Sequence, residues 1–349
     1  MKAGGEQPAV SRERIGKKRM TRTVYVFICL LPVVLLTGFP IEAQPSRKIS
    51  RIGILTGGSS SDPAYRVRHD ALRQGLEKLG YVEGKNIVFD DRFGDGKVSQ
   101  ITSMATDLAQ RKVDIIVAGG NAAIRAAMHA SRSIPIVTGN AGDPVEEAFV
   151  ASLARPGGSV TGLSSISPTL HGKRLELLQE AFPKISHVAV FWDPRNRGNT
   201  LYLKDAREVA RALKLQFQSF ELSAGAEIEN GFRTSVKNRA NAFMIVSGGL
   251  LNAHRPLIVE LSAKARLPAI YSELDWVPAG GLMAYATNFP DLYRRAAFYV
   301  DKILKGSKPG DLPVEQPTKF DFIVNLKTAN QIGLTIPPNV LARADKVIR

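Results

Sequence analysis

Short apolar runs rich in β-branched residues alternate with longer segments of helical periodicity from residue 49 onward. This alternation is typical of repeated β-α-β units and predicts an α/β fold with parallel sheets. The predicted strands are residues 52–55, 87–89, 115–117, 134–137, 160–163, 188–192, 217–222, 242–246, 269–271 and 282–286, with a final apolar stretch at 320–325. The predicted helices are residues 63–79, 99–110, 122–130, 145–153, 170–182, 200–213, 226–238, 255–265 and 292–304.

A cluster of structure-breaking residues interrupts this alternation at residues 155–159, where the sequence reads RPGGS. The alternation then restarts, which predicts two doubly wound lobes in one chain. Ligands on such sheets bind outside the carboxyl ends of the strands, so two facing lobes would form a cleft for a ligand. The fold class alone does not distinguish an enzyme from a binding protein.

The first 43 residues have the organisation of a secretory signal peptide. A basic segment at residues 12–22 precedes an apolar run at residues 24–36, and Ile-Glu-Ala at residues 41–43 ends the leader. The apolar run is about 13 residues long and contains Pro32, whereas a helix that spans a bilayer needs ~20 apolar residues. This argues against the alternative, an uncleaved anchor helix. We therefore predict cleavage after Ala43 and export of the mature chain.

Net charge and cysteine content restrict the function classes further. The whole chain carries a formal charge of +15, and the leader holds seven basic and three acidic residues, so the remainder carries about +11. Lys and Arg are scattered through the predicted helices, so we expect solvated helix faces and no nucleic-acid partner. The single cysteine, Cys29, lies in the leader. The mature chain therefore has no disulfide, thiolate metal site or cysteine nucleophile.

Six segments together resemble a known family. They are LGYVEGKN at residues 79–86, IPIV at 134–137 followed by DPV at 143–145, RPGGSVTG at 155–162, ILKG at 303–306, VNLKTA at 324–329 and LTIP at 334–337. Each segment is a weak signal alone. In this order, over about 290 residues, they resemble the ABC transporter substrate-binding protein family, which includes tryptophan and tyrosine binders.

The resemblance implies a type 1 periplasmic-binding fold in which three crossovers form the hinge between two lobes. We place these crossovers near Leu163, Ala286 and Phe320. The predicted division is a signal peptide at residues 1–43, an amino-terminal lobe at 44–163 plus 287–319, and a carboxy-terminal lobe at 164–286 plus 320–349. The break at residues 155–159 is compatible with the first crossover.

Polar residues directly after the predicted strands of the first lobe are candidate ligand groups. Ser59 and Ser60 lie in the turn after the first strand, and Asn121 follows two glycines where a helix begins. Asn140 and Asp143 follow the fourth strand. Amides and hydroxyls at a helix amino terminus suit a carboxylate, whereas Asp143 suits an ammonium group. The alternative at these positions is a helix cap or a polar turn.

The second lobe and the second crossover contribute further candidates, which are Asp193, Asn196, Ser247, Glu273, Asp275 and Asn288. Asn196 lies where the resemblance implies a polar contact. Glu273 or Asp275 would bind an amino group of the solute. Relatives often carry a basic residue in this segment, and its absence leaves the ligand class open. Tyr271 and Trp276 could stack on a planar solute, with burial in the core as the alternative.

The sequence lacks the motifs that would support catalysis or cofactor binding. It contains no G-x-S-x-G elbow, dinucleotide fingerprint or P-loop, and its five histidines have no common spacing. We therefore expect no enzyme activity, no cofactor and no metal. The resemblance implies a monomeric receptor that delivers a small polar solute, an amino acid or an aromatic acid, to an ABC permease in the inner membrane. Two alternatives are an exported α/β enzyme that acts in the same cleft and a ligand-sensing subunit of a membrane kinase.

Overall fold

The computed structural model describes residues 49–165, 170–195, 198–246 and 248–349. The predicted signal peptide and its cleavage site lie outside the described residues. Within those ranges, no helix is both long and apolar enough to cross a membrane.

The first sheet contains five parallel strands in the order β2-β1-β3-β4-β5. They are β1 (Ser50–Thr56), β2 (Ile87–Phe93), β3 (Ile115–Gly119), β4 (Ile136–Ala141) and β5 (Val160–Ser164). Helices α1 (Pro63–Lys78), α2 (Val98–Gln110) and α3 (Asn121–Ala130) connect the first four strands. Because side chains alternate between the faces of a strand, Ile54 packs in one core layer with Leu72, and Leu55 packs in the other with Ile124.

The second sheet contains seven strands in the order β12-β11-β10-β9-β8-β6-β7. They are β6 (His187–Trp192), β7 (Gln216–Glu221), β8 (Ala242–Val246), β9 (Ala269–Tyr271), β10 (Met283–Ala286), β11 (Asp321–Asn325) and β12 (Lys346–Ile348). All neighbouring pairs are parallel except β10 and β11, which are antiparallel.

The remaining helices follow in chain order. They are α4 (Leu170–Ala181), α5 (Gly198–Ala212), α6 (Ile228–Lys237), α7 (Gly249–Ala253), α8 (Arg255–Lys264), α9 (Phe289–Leu304), α10 (Leu326–Gln331) and α11 (Pro338–Leu341). Short 3-10 helices lie at Gly225–Glu227, Leu274–Trp276 and Pro309–Asp311.

The chain passes between the two sheets three times. It leaves the first sheet after β5 and returns after β10, where Leu292 and Tyr293 of α9 share a core with Leu72 and Leu76 of α1. It then rejoins the second sheet through β11. The prediction of an α/β fold with parallel sheets in two lobes is therefore confirmed, and the residue boundaries assigned to each lobe stay a prediction.

The predicted helix at residues 145–153 is wrong. Residues 144–148 form turns, and the N–H groups of Phe149 and Val150 both donate to the carbonyl oxygen of Pro144, at 2.9 and 3.2 Å. Ala148 has a φ of 56°, in the left-handed region that a right-handed helix excludes. The apolar pattern of this segment reflects the burial of Phe149 and Val150 instead. Helices α7, α10 and α11 were not predicted because segments of four to six residues are too short to show a helical period, and the three-residue strand β12 was also missed.

Gly162 in β5 is a position that requires glycine. Its φ is 122°, a conformation that L-residues rarely adopt. A Cβ atom there would lie 2.5 Å from the carbonyl oxygen and 2.7 Å from the amide nitrogen of Thr138 in the neighbouring β4. The close approach of β4 and β5 near the first crossover therefore depends on the missing side chain.

We expect Gly162→Ala to lower the free energy of unfolding by about 3 kcal/mol, because it adds both a strained φ and an overlap with the backbone of β4. Guanidinium denaturation followed by circular dichroism measures this change. The matched control is Gly158→Ala, where an added Cβ meets no atom within 4 Å, and a change of about 0.5 kcal/mol or less is expected. Equal stability of the two variants would show that the approach of β4 and β5 does not require glycine at position 162.

Candidate functional site

A cavity of about 700 Å³ lies between the two sheets. Residues that follow β3, β4 and β5 of the first sheet line it, together with residues that follow β6, β8, β9 and β10 of the second sheet. Loops at the carboxyl ends of parallel strands meet at one edge of each sheet, and the two edges face each other. The cavity therefore occupies the cleft that the sequence predicted.

Two predicted ligand residues of the first lobe, Asn121 and Asn140, line this cavity. Asn121 makes no cap of its own helix, because the N-cap position is Gly120 with a φ of 83°. Its Oδ1 accepts from the N–H of Gly142 at 2.8 Å, and its Nδ2 donates to Glu147 Oε1 at 2.9 Å. The Asn140 Oδ1 accepts from the Tyr293 hydroxyl at 3.1 Å.

Two predicted residues of the second lobe, Asp193 and Glu273, also line the cavity. The carboxylate of Asp193 forms a bidentate pair with Arg195, at 2.9 and 2.7 Å. Glu273 accepts from Asn252 Nδ2 at 2.8 Å through Oε1 and from Arg68 at 3.1 Å through Oε2. Both carboxylates thus already have protein donors.

Three other predicted residues lie away from the cavity lining and have local partners. The Ser59 hydroxyl hydrogen-bonds with that of Ser61 at 2.9 Å, and the carbonyl of Ser60 accepts from Arg66 at 3.1 Å. Asp143 Oδ1 accepts from the backbone N–H groups of Val145 and Glu146, at 3.0 and 3.1 Å.

The remaining predicted residues have other positions. Asp275 is bound by Arg68. Asn288 is the N-cap of α9, where its Oδ1 accepts from the N–H of Asp291 at 3.2 Å. Asn196 and Ser247 lie outside the described residues. The ligand roles of all eleven residues stay predictions.

The aromatic pair that could have stacked on a planar solute belongs to the core. Tyr271 and Trp276 are both fully buried, and their rings stack on each other at 5.0 Å. The Tyr271 hydroxyl hydrogen-bonds with Ser262 Oγ at 2.8 Å. Neither ring lines the cavity.

Ion pairs join the two lobes beside the cavity. Arg68 of α1, only 2% exposed, contacts Glu273 at 3.1 Å and Asp275. Burial alone would lower the pKa of Arg68, but the carboxylates of Asp275 and Glu273 raise it above its ordinary value. Arg255 of α8 contacts Asp62, the N-cap of α1, at 2.8 Å. These contacts close the lobes on each other.

Sequence reasoning missed Arg68, Glu147, His171 and Arg174, all of which are buried and line the cavity. It examined strand ends, whereas three of these four residues lie on helices. A signal was present, because Arg68 lies on the same face of α1 as Leu72 and Leu76 at helical spacing, where an apolar residue is expected. A charged residue in an apolar register indicates a buried partner or ligand.

Glu147 is a buried carboxylate of the first lobe that neighbouring side chains bind. Its side chain is fully buried, contacts Arg125 and accepts from Asn121 Nδ2 at 2.9 Å. Both neighbours also line the cavity. Among the residues that the structure describes, no cluster of three or more His, Cys, Asp or Glu side chains could hold a metal ion.

The sequence matches the family model for ABC transporter substrate binding protein over residues 59–348. The chain therefore belongs to the ABC transporter substrate-binding protein family, as the sequence segments predicted. A tyrosine-binding protein from Clostridioides difficile (strain R20291) is 25% identical over 291 residues, which are 83% of this chain and 82% of that protein.

Solved structures share the fold. An ABC domain in complex with L-Trp from Streptococcus pneumoniae has a TM-score of 0.79 at 24% identity and covers 86% of this chain and 99% of its own. A ligand-free, open substrate-binding protein with adhesive properties from Clostridium difficile has a TM-score of 0.64 at 25% identity, again over 86% and 99%. The predicted type 1 periplasmic-binding architecture is thus confirmed.

We expect Asp62→Asn to shift the ligand-free protein toward an open arrangement. The ion pair of Asp62 and Arg255 forms only in the closed state, so its loss destabilises that state and not the open one. Asparagine keeps the helix cap of α1, so the folded lobes should be retained. Loss of one charge-assisted hydrogen bond predicts a change of about tenfold or more in the ratio of closed to open molecules. Small-angle X-ray scattering should show a larger radius of gyration.

The matched control is Asp70→Asn, which removes the same charge from an exposed position on the same helix. This variant should scatter like the wild type. If Asp62→Asn also scattered like the wild type, the pair of Asp62 and Arg255 would not hold the lobes together.

Proposed function

We propose that this chain is the periplasmic solute receptor of an ABC importer, which closes its two lobes around a small polar solute. The observation that carries the proposal is that residues of both lobes line one cavity. The ion pairs beside this cavity form only when the lobes meet. A ligand that contacts both lobes favours the closed state by its differential affinity. The closed receptor would then deliver the solute to a permease in the inner membrane.

We propose an amino acid or an aromatic acid as the solute. The cavity volume of about 700 Å³ lies within the range of small-molecule sites. Val98 and Ile101 of α2, Ala126 of α3 and Leu250 of α7 give it an apolar part, while arginines and carboxylates give it a polar part. The names of the relatives, a tyrosine-binding protein and a complex with L-Trp, support the same class.

The closed arrangement supports this proposal. The structure is more similar to the L-Trp complex than to the open, ligand-free relative, by TM-score. The N–H of Asp143 in the first lobe donates to the Tyr202 hydroxyl in the second lobe at 3.0 Å, a further contact across the cleft. We therefore take the described geometry as that of the solute-bound receptor.

We further propose that Asn121, Asn140, Asp193 and Glu273 contribute to the solute site, because all four line the cavity. The proposed lobes keep the boundaries given above, at residues 44–163 plus 287–319 and at 164–286 plus 320–349. We propose a monomer that leaves its solute chemically unchanged. The alternatives of an exported enzyme and of a kinase-linked sensor have no observation in their favour.

Export can be tested on the full chain expressed in a Gram-negative host. We expect the protein in the periplasmic fraction, with an intact mass that corresponds to a chain beginning at Gln44, because the signal is cleaved after Ala43. Mass spectrometry of the purified protein gives the amino terminus directly. A cytoplasmic protein that retains the leader would contradict the localisation.

Solute binding can be tested on the exported protein after unfolding and refolding to remove any carried ligand. A solute that binds only the folded state at about 100 times its Kd adds about 2.7 kcal/mol of stability, which predicts a rise of about 5 °C in Tm. The panel contains the natural amino acids and aromatic carboxylic acids, with D-glucose as the negative control. Mass spectrometry of the bound fraction identifies the solute.

A saturable hit recovered unaltered supports the receptor. A hit recovered as a different compound supports the exported enzyme instead. If D-glucose raised the Tm and no acid did, the proposed solute class would be wrong.

A further inference from the structure

Four arginines line the cavity among the described residues, and one of them differs from the others. Arg68 is paired with Glu273 and Asp275, Arg125 with Glu147, and Arg195 with Asp193. Among the residues that the structure describes, the fourth arginine, Arg174 of α4, has no carboxylate within ion-pair distance, although it is only 3% exposed.

The side chain of Arg174 is held in place by neutral groups. Its Nε donates to the carbonyl oxygen of Tyr285 at 2.8 Å, and one terminal nitrogen donates to that of Ser272 at 3.2 Å. The other terminal nitrogen donates to His171 Nδ1 at 3.0 Å. A guanidinium has five N–H groups, so two of them are left for another acceptor.

The contact with Arg174 also determines the tautomer of His171. An arginine only donates, so His171 Nδ1 must accept and the ring proton must lie on Nε2. Burial, with a smaller effect of Arg174, lowers the pKa of His171 well below its ordinary value, so the ring is neutral. Among the described residues the buried Nε2 atom has no hydrogen-bond partner, and His171 holds the guanidinium at the cavity wall through Nδ1.

Two unused acceptors lie in the same lobe. Within the described part of the chain, the Oδ1 atoms of Asn199 and Asn252 are buried and have no hydrogen-bond partner, and both residues line the cavity. Their amide orientations are determined by their neighbours, because the Nδ2 atoms donate to the carbonyl oxygen of Asp193 at 3.0 Å and to Glu273 Oε1 at 2.8 Å. Both Oδ1 atoms are buried, so among these polar groups the guanidinium of Arg174 is the one with hydrogen-bond donors left at the cavity wall.

A buried cation without a hydrogen-bonded anion is unfavourable for the free protein. Burial lowers the pKa of Arg174 to about 9, and the charge of Glu273 offsets this in part, so Arg174 is cationic at neutral pH. Glu273 itself is bound by Arg68 and Asn252 and gives Arg174 only a longer-range attraction. A bound anionic group would supply the missing acceptor.

We propose that Arg174, oriented by His171, binds the carboxylate of the solute. This inference rests on the proposed receptor function and names the group that the solute must carry and the lobe that holds it. The carboxylate binds in the second lobe near the hinge, where Ser165 and Thr287 also line the cavity. The apolar body of the solute lies toward α2 and α3.

Pairs of probes that differ only in the carboxylate test this assignment on the exported wild-type protein. The probes are L-tryptophan with tryptamine, L-tyrosine with tyramine, and L-leucine with isoamylamine, with inorganic phosphate as the control anion. We expect Tm to rise with one or more of the amino acids and with none of the amines or phosphate. An amine that binds as tightly as its parent amino acid, or a rise with phosphate alone, would overturn the carboxylate assignment.

Variants separate binding from folding. Arg174→Met should weaken binding of the best amino acid by about 30-fold or more in calorimetry, because it removes one partner of a buried charge pair. Its ligand-free Tm should stay within about 2 °C of the wild type or rise, because an unpaired buried charge is removed. His171→Phe keeps a ring beside Tyr202 but removes the acceptor that orients Arg174, so it should weaken binding by about tenfold. Arg207→Met removes the same charge from an exposed position in the second lobe and should bind like the wild type.

The outcomes distinguish the two proposals. Wild-type affinity in Arg174→Met would overturn the carboxylate site and leave the receptor function standing. A ligand-free Tm that falls by several degrees would show that Arg174 is a structural residue bridging Tyr285 and Ser272, and would overturn the inference even without a ligand. Absence of any Tm rise in the wild type would overturn the proposed solute class, and this inference with it.

Discussion

The buried guanidinium of Arg68 is the interaction on which the closed form of the protein depends. It comes from α1 of the first lobe, and its two partners, Glu273 and Asp275, come from the segment after β9 in the second lobe. Tyr65 and Phe289 cover it on the first-lobe side, with the guanidinium 4.6 and 4.3 Å from their ring centroids. A cation in this position is stable only when paired, so separation of the lobes must return it to water. The same contact therefore couples closure of the lobes to the burial of Arg68.

The two lobes contribute different chemistry to one cavity. Helices α2 and α3 of the first lobe bring apolar side chains such as Ile101 and Ala126, because both helices begin at the carboxyl edge of the sheet. The second lobe brings Arg174 and His171 from α4. A solute with a charged end and an apolar body would contact both walls at once. Such a solute stabilises the closed form through contacts that neither lobe makes alone.

Polar residues at strand ends correctly indicated where the cavity lies. They did not indicate which hydrogen-bonding groups lack a protein partner. Asn121, Asn140, Asp193 and Glu273 do line the cavity, because the carboxyl ends of parallel strands converge there. Their hydrogen-bonding groups are largely taken by other side chains, such as the bidentate pair of Asp193 with Arg195. Arg174, with unused donors, lies on a helix face that a search of strand ends does not reach. A search for charged residues in apolar helical registers would have found it, because it lies on the buried face of α4 with Leu170 and Leu178.

The sequence by itself determined most of the helices and strands, the α/β class, the two lobes and the family, because local periodicity and short contiguous segments carry this information. It did not determine the turns at residues 144–148, where the spacing of apolar residues such as Phe149 resembles that of a helix. Only the tertiary structure decided which polar groups are engaged and which are free. The reason is distance along the chain: Arg68 and Glu273 are 205 residues apart, and no local pattern specifies that they meet. Such pairs determine which charges the cavity wall carries. The polarity of the cavity therefore followed only from the tertiary structure.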